Sequence, residues 1–269
     1  MGKEATDRVK RLRAKFLTYN PNVDIERAVI YHRVFKETDE VAGEPMIVAR
    51  AKAFKTFLNE RTIYIEDDQL FAGSFGRKPR AFPIYPESVG DDLLAEYRKL
   101  PTRAIDPFEY AEEDRKVLEE ILPAWHDSSL RQKVFPNFSP EEKNLFLMDP
   151  ENNIVKGTNV FTLDVPLYGP AGHITPDYQT IMEIGFAGVK ERAEKRLVQA
   201  QADGDQKGID FLRAAIISCE GIINFAHRYA NLAREMAAKT TDATRQKELL
   251  RIADACDRVP GLPPRTFFE

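Results

Sequence analysis

His173 is one of four histidines in this 269-residue chain, and it lies in the segment "GPAGHITPDY" at residues 169–178. Thr175 can cap the helix that follows, and Pro176 and Asp177 suit its first turn. We therefore expect His173 about two residues before a helix N-terminus, where partial positive charge disfavours imidazolium and lowers the histidine pKa. A neutral imidazole donates one hydrogen bond and accepts another, which suits a hydroxyl or carbonyl group of a small substrate. The alternative is a loop histidine bonded to the backbone.

Beyond this histidine, the sequence contains no complete catalytic motif. It has no G-x-S-x-G elbow, no P-loop, no G-x-G-x-x-G and no H-E-x-x-H. The histidines at positions 32, 126, 173 and 227 lack metal-ligand spacing. The two cysteines, Cys219 and Cys256, are too few for a metal cluster and do not suggest a disulfide framework.

Composition narrows the class of protein and its partners. The chain has 39 basic and 43 acidic residues, and 43% of its residues are hydrophobic, enough for one large domain or two small ones. No basic stripe is present, which argues against a nucleic-acid partner. No apolar run reaches the roughly 18–20 residues of a membrane span. The N-terminus has no apolar signal core, so we expect a cytoplasmic protein.

Periodicity predicts a mostly α-helical chain with a few short strands, as one N-terminal domain over residues 1–269. Asp24 is the expected cap of the second helix, and Trp125 is expected to anchor a core. Residues 62–65 ("TIYI") and 69–72 are the strand candidates, and residues 73–90 are too rich in Gly and Pro for one regular element. The predicted helices cover 5–18, 24–39, a segment beginning at Pro45, 91–100, 111–122, 139–147, 176–201, 206–238 and 242–257.

The last residues, "VPGLPPRTFFE", contain a second unusual pattern. Thr266 can cap a helix that would open with Phe267 and Phe268 and then stop. Exposed aromatic residues at such a position need partners to become buried. We therefore expect the domain to be truncated at its C-terminal end, with the chain continuing in the gene product or a neighbouring chain covering this end.

Several segments together resemble the pyruvate formate-lyase-like glycyl radical enzymes, closest to the glycerol dehydratase and choline lyase branch. The likeness extends over the whole chain, and the order and spacing of the pieces make it specific. The matching pieces are "RVKRLRAKF", "IERAVIYHRVFKETD", "GEPMIVARAKAF", "IYIEDDQLFAGSFGRKPRAFPIYPE", "TRAIDPFEYAEEDRKVLEEILPAW", "GHITPDY", "ISCEGIINFAHRYANLAREMA" and "LLRIADACDRVPGLPPRTFFE".

The resemblance implies a fold and a radical mechanism. The family fold is an α/β barrel wrapped by helices, and this chain would be its mostly helical N-terminal portion. A glycyl radical, installed by an activase that uses S-adenosylmethionine, would generate a thiyl radical that abstracts hydrogen from the substrate. Both the radical glycine and the catalytic cysteine would lie outside this chain, which would itself bind no cofactor. The expected partners are a small-molecule substrate, the remainder of the enzyme, the activase and a second copy in a homodimer.

The resemblance also assigns roles to individual residues. His173 matches the histidine of the "GH…DY" motif that contacts substrate hydroxyls in glycerol dehydratase-like members. Val165 falls where choline lyases carry a tyrosine, which argues against choline as the substrate. Cys219 and Cys256 match helical positions and are expected to be structural rather than catalytic.

We therefore predict the N-terminal portion of a glycyl radical lyase that dehydrates a small diol-like substrate and is inactive as this chain alone. The alternatives within the family are a radical decarboxylase, another C–X lyase or a formate acetyltransferase-like enzyme. An alternative from another class is a helical scaffold protein, derived from the enzyme and no longer catalytic. A helical nucleic-acid-binding regulator is disfavoured by the net charge.

Overall fold

Helices dominate the computed structural model, which describes residues 6–105, 107–128, 130–149, 154–158 and 176–269. The prediction of a mostly α-helical chain with a few short strands is confirmed. Within these residues, no helix is both long enough and apolar enough to cross a bilayer. The α-helices are α1 Asp7–Thr18, α2 Glu26–His32, α3 Met46–Glu60, α4 Pro86–Glu96, α5 Glu112–Ile121, α6 Leu130–Val134, α7 Pro140–Lys143, α8 Tyr178–Asp203, α9 Gln206–Lys239 and α10 Ala243–Arg258.

Short elements connect these helices. A π-helix, Arg33–Glu37, follows α2, and 3₁₀ turns cover Tyr97–Thr102, Leu122–Ser128 and Phe135–Asn137. The strands are β1 Asn22–Asp24, β2 Ala81–Pro83, β3 Phe146–Asp149 and β4 Ile154–Thr158. Strands β1 and β2 pair in parallel, and β3 and β4 pair antiparallel.

The chain divides into two units, and the first is built on long helices. It comprises Met1–Tyr19, Arg33–Arg80 and Pro176–Glu269. Helix α9 is central, since it packs against α3, α8 and α10. Its buried face carries Ala230, Ala233 and Ala237 at helical spacing. Small side chains on this face allow the α10 residues Leu249 and Ile252 to approach closely, and together they form the main core cluster of the unit.

Helix α1 is attached to this unit by ion pairs and buries none of its residues. The Arg8 Nη2 atom lies 2.6 Å from a Glu248 carboxylate oxygen, and the Lys15 Nζ atom lies 2.6 Å from one of Glu66. The Arg11 guanidinium donates two hydrogen bonds to the Asp68 carboxylate. The apolar residues of α1 lie largely outside these contacts, and the exposed ones are Val9, Phe16 and Leu17.

The second unit comprises Asn20–His32 and Ala81–Thr175. Its core is made of large apolar side chains from β1, α5 and the turn after α5, and Leu118 and Leu122 are fully buried in it. Trp125 is 5% exposed, which confirms its prediction as a core anchor. The prediction of a single domain over residues 1–269 remains a prediction.

A buried ion pair distinguishes the second unit. The Arg27 Nε atom donates to Glu87 Oε1 at 3.0 Å, and both side chains are about nine-tenths buried. The Arg27 guanidinium also stacks on Tyr31, 3.9 Å from the ring centroid. Glu87 Oε2 is buried and meets no donor among the described residues. Burial raises the pKa of Tyr31 to about 12, so its hydroxyl stays neutral beside this pair.

Two predicted strands and one predicted helix cap differ from the structure. The strands predicted at 62–65 and 69–72 are irregular, so that prediction is wrong. Arginine side chains, rather than a partner strand, bind the backbone at the two ends of the first segment: Arg228 donates to the Arg61 carbonyl at 2.7 Å and Arg245 to the Glu66 carbonyl at 2.9 Å. Asp24 ends β1 instead of capping α2, although its Oδ1 accepts from the Glu26 amide at 2.9 Å.

Candidate functional site

The two predicted substrate contacts, His173 and Val165, both lie outside the described residues. Their roles therefore remain predictions. The described chain resumes at Pro176, and the helix that follows the "GHITPDY" segment is fully defined.

Asp177, and not Thr175, is the N-cap of α8. Its Oδ1 accepts from the Thr180 amide at 3.0 Å, and its Oδ2 accepts from the Thr180 hydroxyl at 2.7 Å. The hydroxyl bond is the main reason that the pKa of Asp177 lies below its ordinary value. The prediction of Thr175 as the cap is wrong because an aspartate two residues later makes two hydrogen bonds to the first turn.

This correction moves His173 further from the helix in sequence. His173 precedes the cap by four residues instead of about two. The field of a helix terminus decays over about one turn, so proximity in sequence no longer supports a lowered pKa for this histidine. Its capacity to donate and accept hydrogen bonds to a substrate hydroxyl does not depend on that shift.

Helix α8 consists of two pieces that join at Gly185. This glycine has φ 64° and ψ 175°, a backbone conformation open almost only to glycine. The first piece, residues 178–184, is the described helical segment nearest in sequence to His173. In the second piece, the Lys190 Nζ atom lies 2.9 Å from a Glu220 carboxylate oxygen of α9. The change of direction at Gly185 therefore sets the direction of residues 178–184 relative to the piece that contacts α9.

A separate pocket of about 300 Å³ opens in the first unit. Its walls are mainly apolar and include Phe71, Phe225, Ile252 and Phe268, with Cys256 among them. Burial raises the pKa of Cys256 to about 11, so the thiol is protonated and weakly nucleophilic at neutral pH. The pocket is suited mainly to an apolar group, with Tyr229 and Glu269 as polar residues in its lining.

The two cysteines and the other three histidines lie in environments typical of structural residues. Burial also raises the pKa of the Cys219 thiol, which supports a structural role for both cysteines. His126 Nδ1 lies 2.6 Å from an Asp127 carboxylate oxygen, the His32 ring lies 6.4 Å from the Trp125 ring, and His227 is exposed. Among the described residues, no three His, Cys, Asp or Glu side chains are grouped to hold a metal ion.

Phe267 and Phe268 differ in their exposure to solvent. The predicted helix at Thr266 does not form, since residues 262–269 are irregular. Phe267 is fully exposed. Phe268 packs against the core of the first unit, with the Arg251 guanidinium 3.6 Å from its ring centroid. The expectation that both rings lack partners is therefore wrong for Phe268.

This helical architecture is that of the N-terminal part of a glycyl radical enzyme, as predicted. A family model described as "Pyruvate formate lyase-like" matches residues 4–269. The chain therefore belongs to the pyruvate formate-lyase-like family, which confirms the resemblance drawn from its segments.

Individual relatives match along nearly the whole chain. Isethionate sulfite-lyase of Desulfovibrio desulfuricans is 36% identical over 97% of this chain and 31% of its own length. Trans-4-hydroxy-L-proline dehydratase of Clostridioides difficile is 31% identical over 100% of this chain and 33% of its own. The glycerol-bound B12-independent glycerol dehydratase of Clostridium butyricum superimposes with a TM-score of 0.83 at 30% identity, over 99% of this chain and 32% of that one. The chain thus spans about a third of the length of these relatives.

Proposed function

We propose that this chain is the N-terminal part of a glycyl radical lyase that dehydrates a small diol-like substrate. The observation that carries the proposal is the match of the chain, over 99% of its length, to the glycerol-bound glycerol dehydratase. In such an elimination, a hydrogen atom leaves the carbon that bears one hydroxyl, and the hydroxyl of the neighbouring carbon takes up a proton and departs as water. The remaining hydroxyl gives up its proton as it becomes a carbonyl group, and the hydrogen atom is returned to the neighbouring carbon of the product. The radical chemistry belongs to residues outside this chain and to the activase that installs the radical.

His173 is the residue of this chain proposed to contact the substrate. Its imidazole would accept or donate a hydrogen bond to a substrate hydroxyl, and so hold the leaving group in a defined orientation. Val165 is proposed to line the same cavity with an apolar surface. The support for His173 is the match of its segment to glycerol dehydratase-like members of the family, and the support for Val165 is its position, where choline lyases carry a tyrosine.

A second candidate reaction is the release of sulfite from a hydroxyalkyl sulfonate. The 36% identity with isethionate sulfite-lyase supports it. Such a substrate also carries a hydroxyl group that His173 could bind, but a carbon–sulfur bond breaks in place of a carbon–oxygen bond. The two reactions are separated by their products, since one releases water and the other releases sulfite.

The decisive experiment uses the full-length gene product, activated without oxygen by its radical activase. We expect turnover of glycerol or propane-1,2-diol to an aldehyde, while sulfite released from isethionate would favour the second candidate. The fourth compound to be tested as a substrate is trans-4-hydroxy-L-proline. If an enzyme whose radical is visible by electron paramagnetic resonance turns over none of the four compounds, the proposed lyase function is wrong.

Substituting His173 tests its role directly. Removing a hydrogen bond to a substrate hydroxyl should lower kcat/KM about tenfold to a hundredfold in His173→Ala. His173→Asn retains a donor and an acceptor and should recover part of this loss. His227→Ala removes an exposed histidine and is the matched control, with unchanged kinetics expected. Equal kinetics in the His173 and His227 variants would refute the substrate contact.

A further inference from the structure

The break in α8 is closed by the turn at residues 259–262. A Cβ atom added at Gly185 would overlap the carbonyl oxygen of Gly261 and lie 2.8 Å from the Leu262 Cα atom. Any side chain at Gly185 would therefore both occupy a forbidden backbone region and displace the turn. The glycine is required at this position by conformation and by contact together.

The same turn also accepts hydrogen bonds from the first backbone amides of the second helical piece. A helix that begins after a break has backbone amides without an intrahelical partner. The Phe186 amide donates to the Pro260 carbonyl at 2.9 Å, and the Ala187 amide donates to the Gly261 carbonyl at 2.9 Å. Two backbone carbonyls thus take the place that a capping side chain has at other helix starts.

The turn is itself held in place. The Leu262 amide donates to the Arg258 carbonyl at 2.7 Å, and the Arg258 Nε atom donates to the Pro263 carbonyl at 2.7 Å. A Cβ at Gly261 would lie 3.7 Å from the Ile223 side chain, which places the turn against α9. The break is therefore fixed to the long central helix of the unit.

The first piece of α8 is only partly buried. Tyr178 and Met182 are 69% and 59% exposed, whereas Ile181 and Ile184 are half-buried. On the other side of the break, a Cβ at Gly188 would lie 2.7 Å from Ile184 Cβ, so glycine at 188 makes room for the Ile184 side chain. The break therefore helps to determine the direction of residues 178–184, together with the half-buried isoleucines.

We propose that Gly185 and the 259–262 turn form a positioning anchor for the substrate-binding segment. The anchor orients residues 176–184, which follow the proposed substrate contact His173 in sequence, so this inference rests on the proposed function. Gly185 touches no reacting atom and acts through the segment that precedes it. Its loss should therefore affect substrate binding and orientation more than global folding.

The first test removes one anchor bond in the full-length enzyme. Phe186→Pro replaces the amide hydrogen that binds Pro260 with a ring carbon, which removes the hydrogen bond and displaces the Pro260 carbonyl, while proline itself suits the first position of a helix. Phe186→Ala is the matched control, because it loses the same side chain and keeps the amide. Relative to this control, we expect hydrogen exchange across residues 178–184 to rise at least tenfold and kcat/KM to fall about tenfold to a hundredfold.

The second test compares two glycines with positive φ. Gly185→Ala meets the Gly261 backbone, whereas Gly204, with φ 70°, has no atom within 4 Å of an added Cβ. Gly204→Ala should shift Tm without changing KM or kcat. Gly185→Ala should raise KM or lower kcat, measured with whichever of glycerol, propane-1,2-diol, isethionate or trans-4-hydroxy-L-proline the wild type turns over.

The outcomes separate the anchor from the proposed function. Unchanged exchange across 178–184 in Phe186→Pro would overturn the anchor. Raised exchange with wild-type KM and kcat would overturn its positioning role. If the wild type turns over none of the four compounds, the proposed function fails and the positioning role with it, while hydrogen exchange still decides whether the anchor exists.

Discussion

The two units of the chain bury their interiors by different means. The first unit packs long helices through alanines such as Ala230 and Ala233, which contribute little volume and allow close approach. The second unit fills its interior with large side chains such as Leu118 and Trp125, and it also buries the Arg27–Glu87 ion pair. The first unit should therefore be sensitive to added volume, and the second to lost volume and unpaired charge.

The largest expected effect lies in the second unit. Glu87→Ala breaks the buried ion pair with Arg27 and should lower the free energy of unfolding by about 3–5 kcal/mol. The fluorescence of Trp125, the single tryptophan, reports urea unfolding of this unit. The double variant Arg27→Met/Glu87→Met removes both charges and should recover most of the loss. A double variant as unstable as Glu87→Ala would contradict the account based on the broken ion pair.

A smaller effect is expected from added volume in the first unit. Ala233→Leu places three further carbon atoms between α9 and α10 and should lower the free energy of unfolding by about 1–3 kcal/mol. Ala238→Leu, on the exposed face of the same helix, is the matched control and should stay within about 0.5 kcal/mol of wild type. Circular dichroism at 222 nm, dominated by the long helices, is the measurement. Equal stability of the two variants would show that the small-residue packing is not tight.

The smallest effect concerns alkaline pH and the first unit. The thiol of Cys256 has a native pKa of about 11, whereas an unfolded cysteine loses its proton near about pH 8.5. Between these values the unfolded chain binds fewer protons than the native chain, so this thiol makes stability fall as pH rises. Cys256→Ala should show a shallower decline of unfolding free energy from pH 8.5 to 10 than wild type. If the unfolding free energies of wild type and Cys256→Ala fall equally steeply with pH, Cys256 is not the cause of the decline.

The long helices could be predicted from the sequence because their signals are local. Helices α9 and α10 were expected at 206–238 and 242–257, and the structure places them at Gln206–Lys239 and Ala243–Arg258. Each follows an aspartate that caps it, Asp205 and Asp242. Repeated apolar spacing and a nearby cap define such elements without tertiary information.

Elements that depend on distant partners could not be predicted in this way. Strand β1 pairs with β2, about 60 residues later, and nothing in either three-residue stretch indicates the pairing. The opposite error occurred at 62–65, where β-branched residues suggested a strand but arginine side chains bind the flanking carbonyls. The break at Gly185 cannot be located from the sequence, because the pattern of apolar residues continues through it and two nearby glycines, Gly185 and Gly188, give the same signal.

The candidate site was predictable only as far as the resemblance extended. Family membership is confirmed, but the pattern "HITPDY" offers two capping residues, Thr175 and Asp177, on either side of Pro176, and local rules favour the first. Competition between neighbouring caps is decided by hydrogen-bond geometry, which the sequence does not contain.

The attachment of α1 by charge makes the first helix responsive to ionic strength. Charges as exposed as Lys15 and Arg11 interact weakly in water, and salt weakens their attraction further as the Debye length falls from about 8 Å at physiological ionic strength to about 3 Å at 1 M. Sodium chloride should therefore release α1 well before the apolar helix contacts weaken. Ammonium sulfate would strengthen those contacts while it screens the ion pairs. Proteolysis after Lys10 or Lys15 in rising salt would thus reveal an N-terminal segment that detaches and rebinds on an otherwise intact helical core.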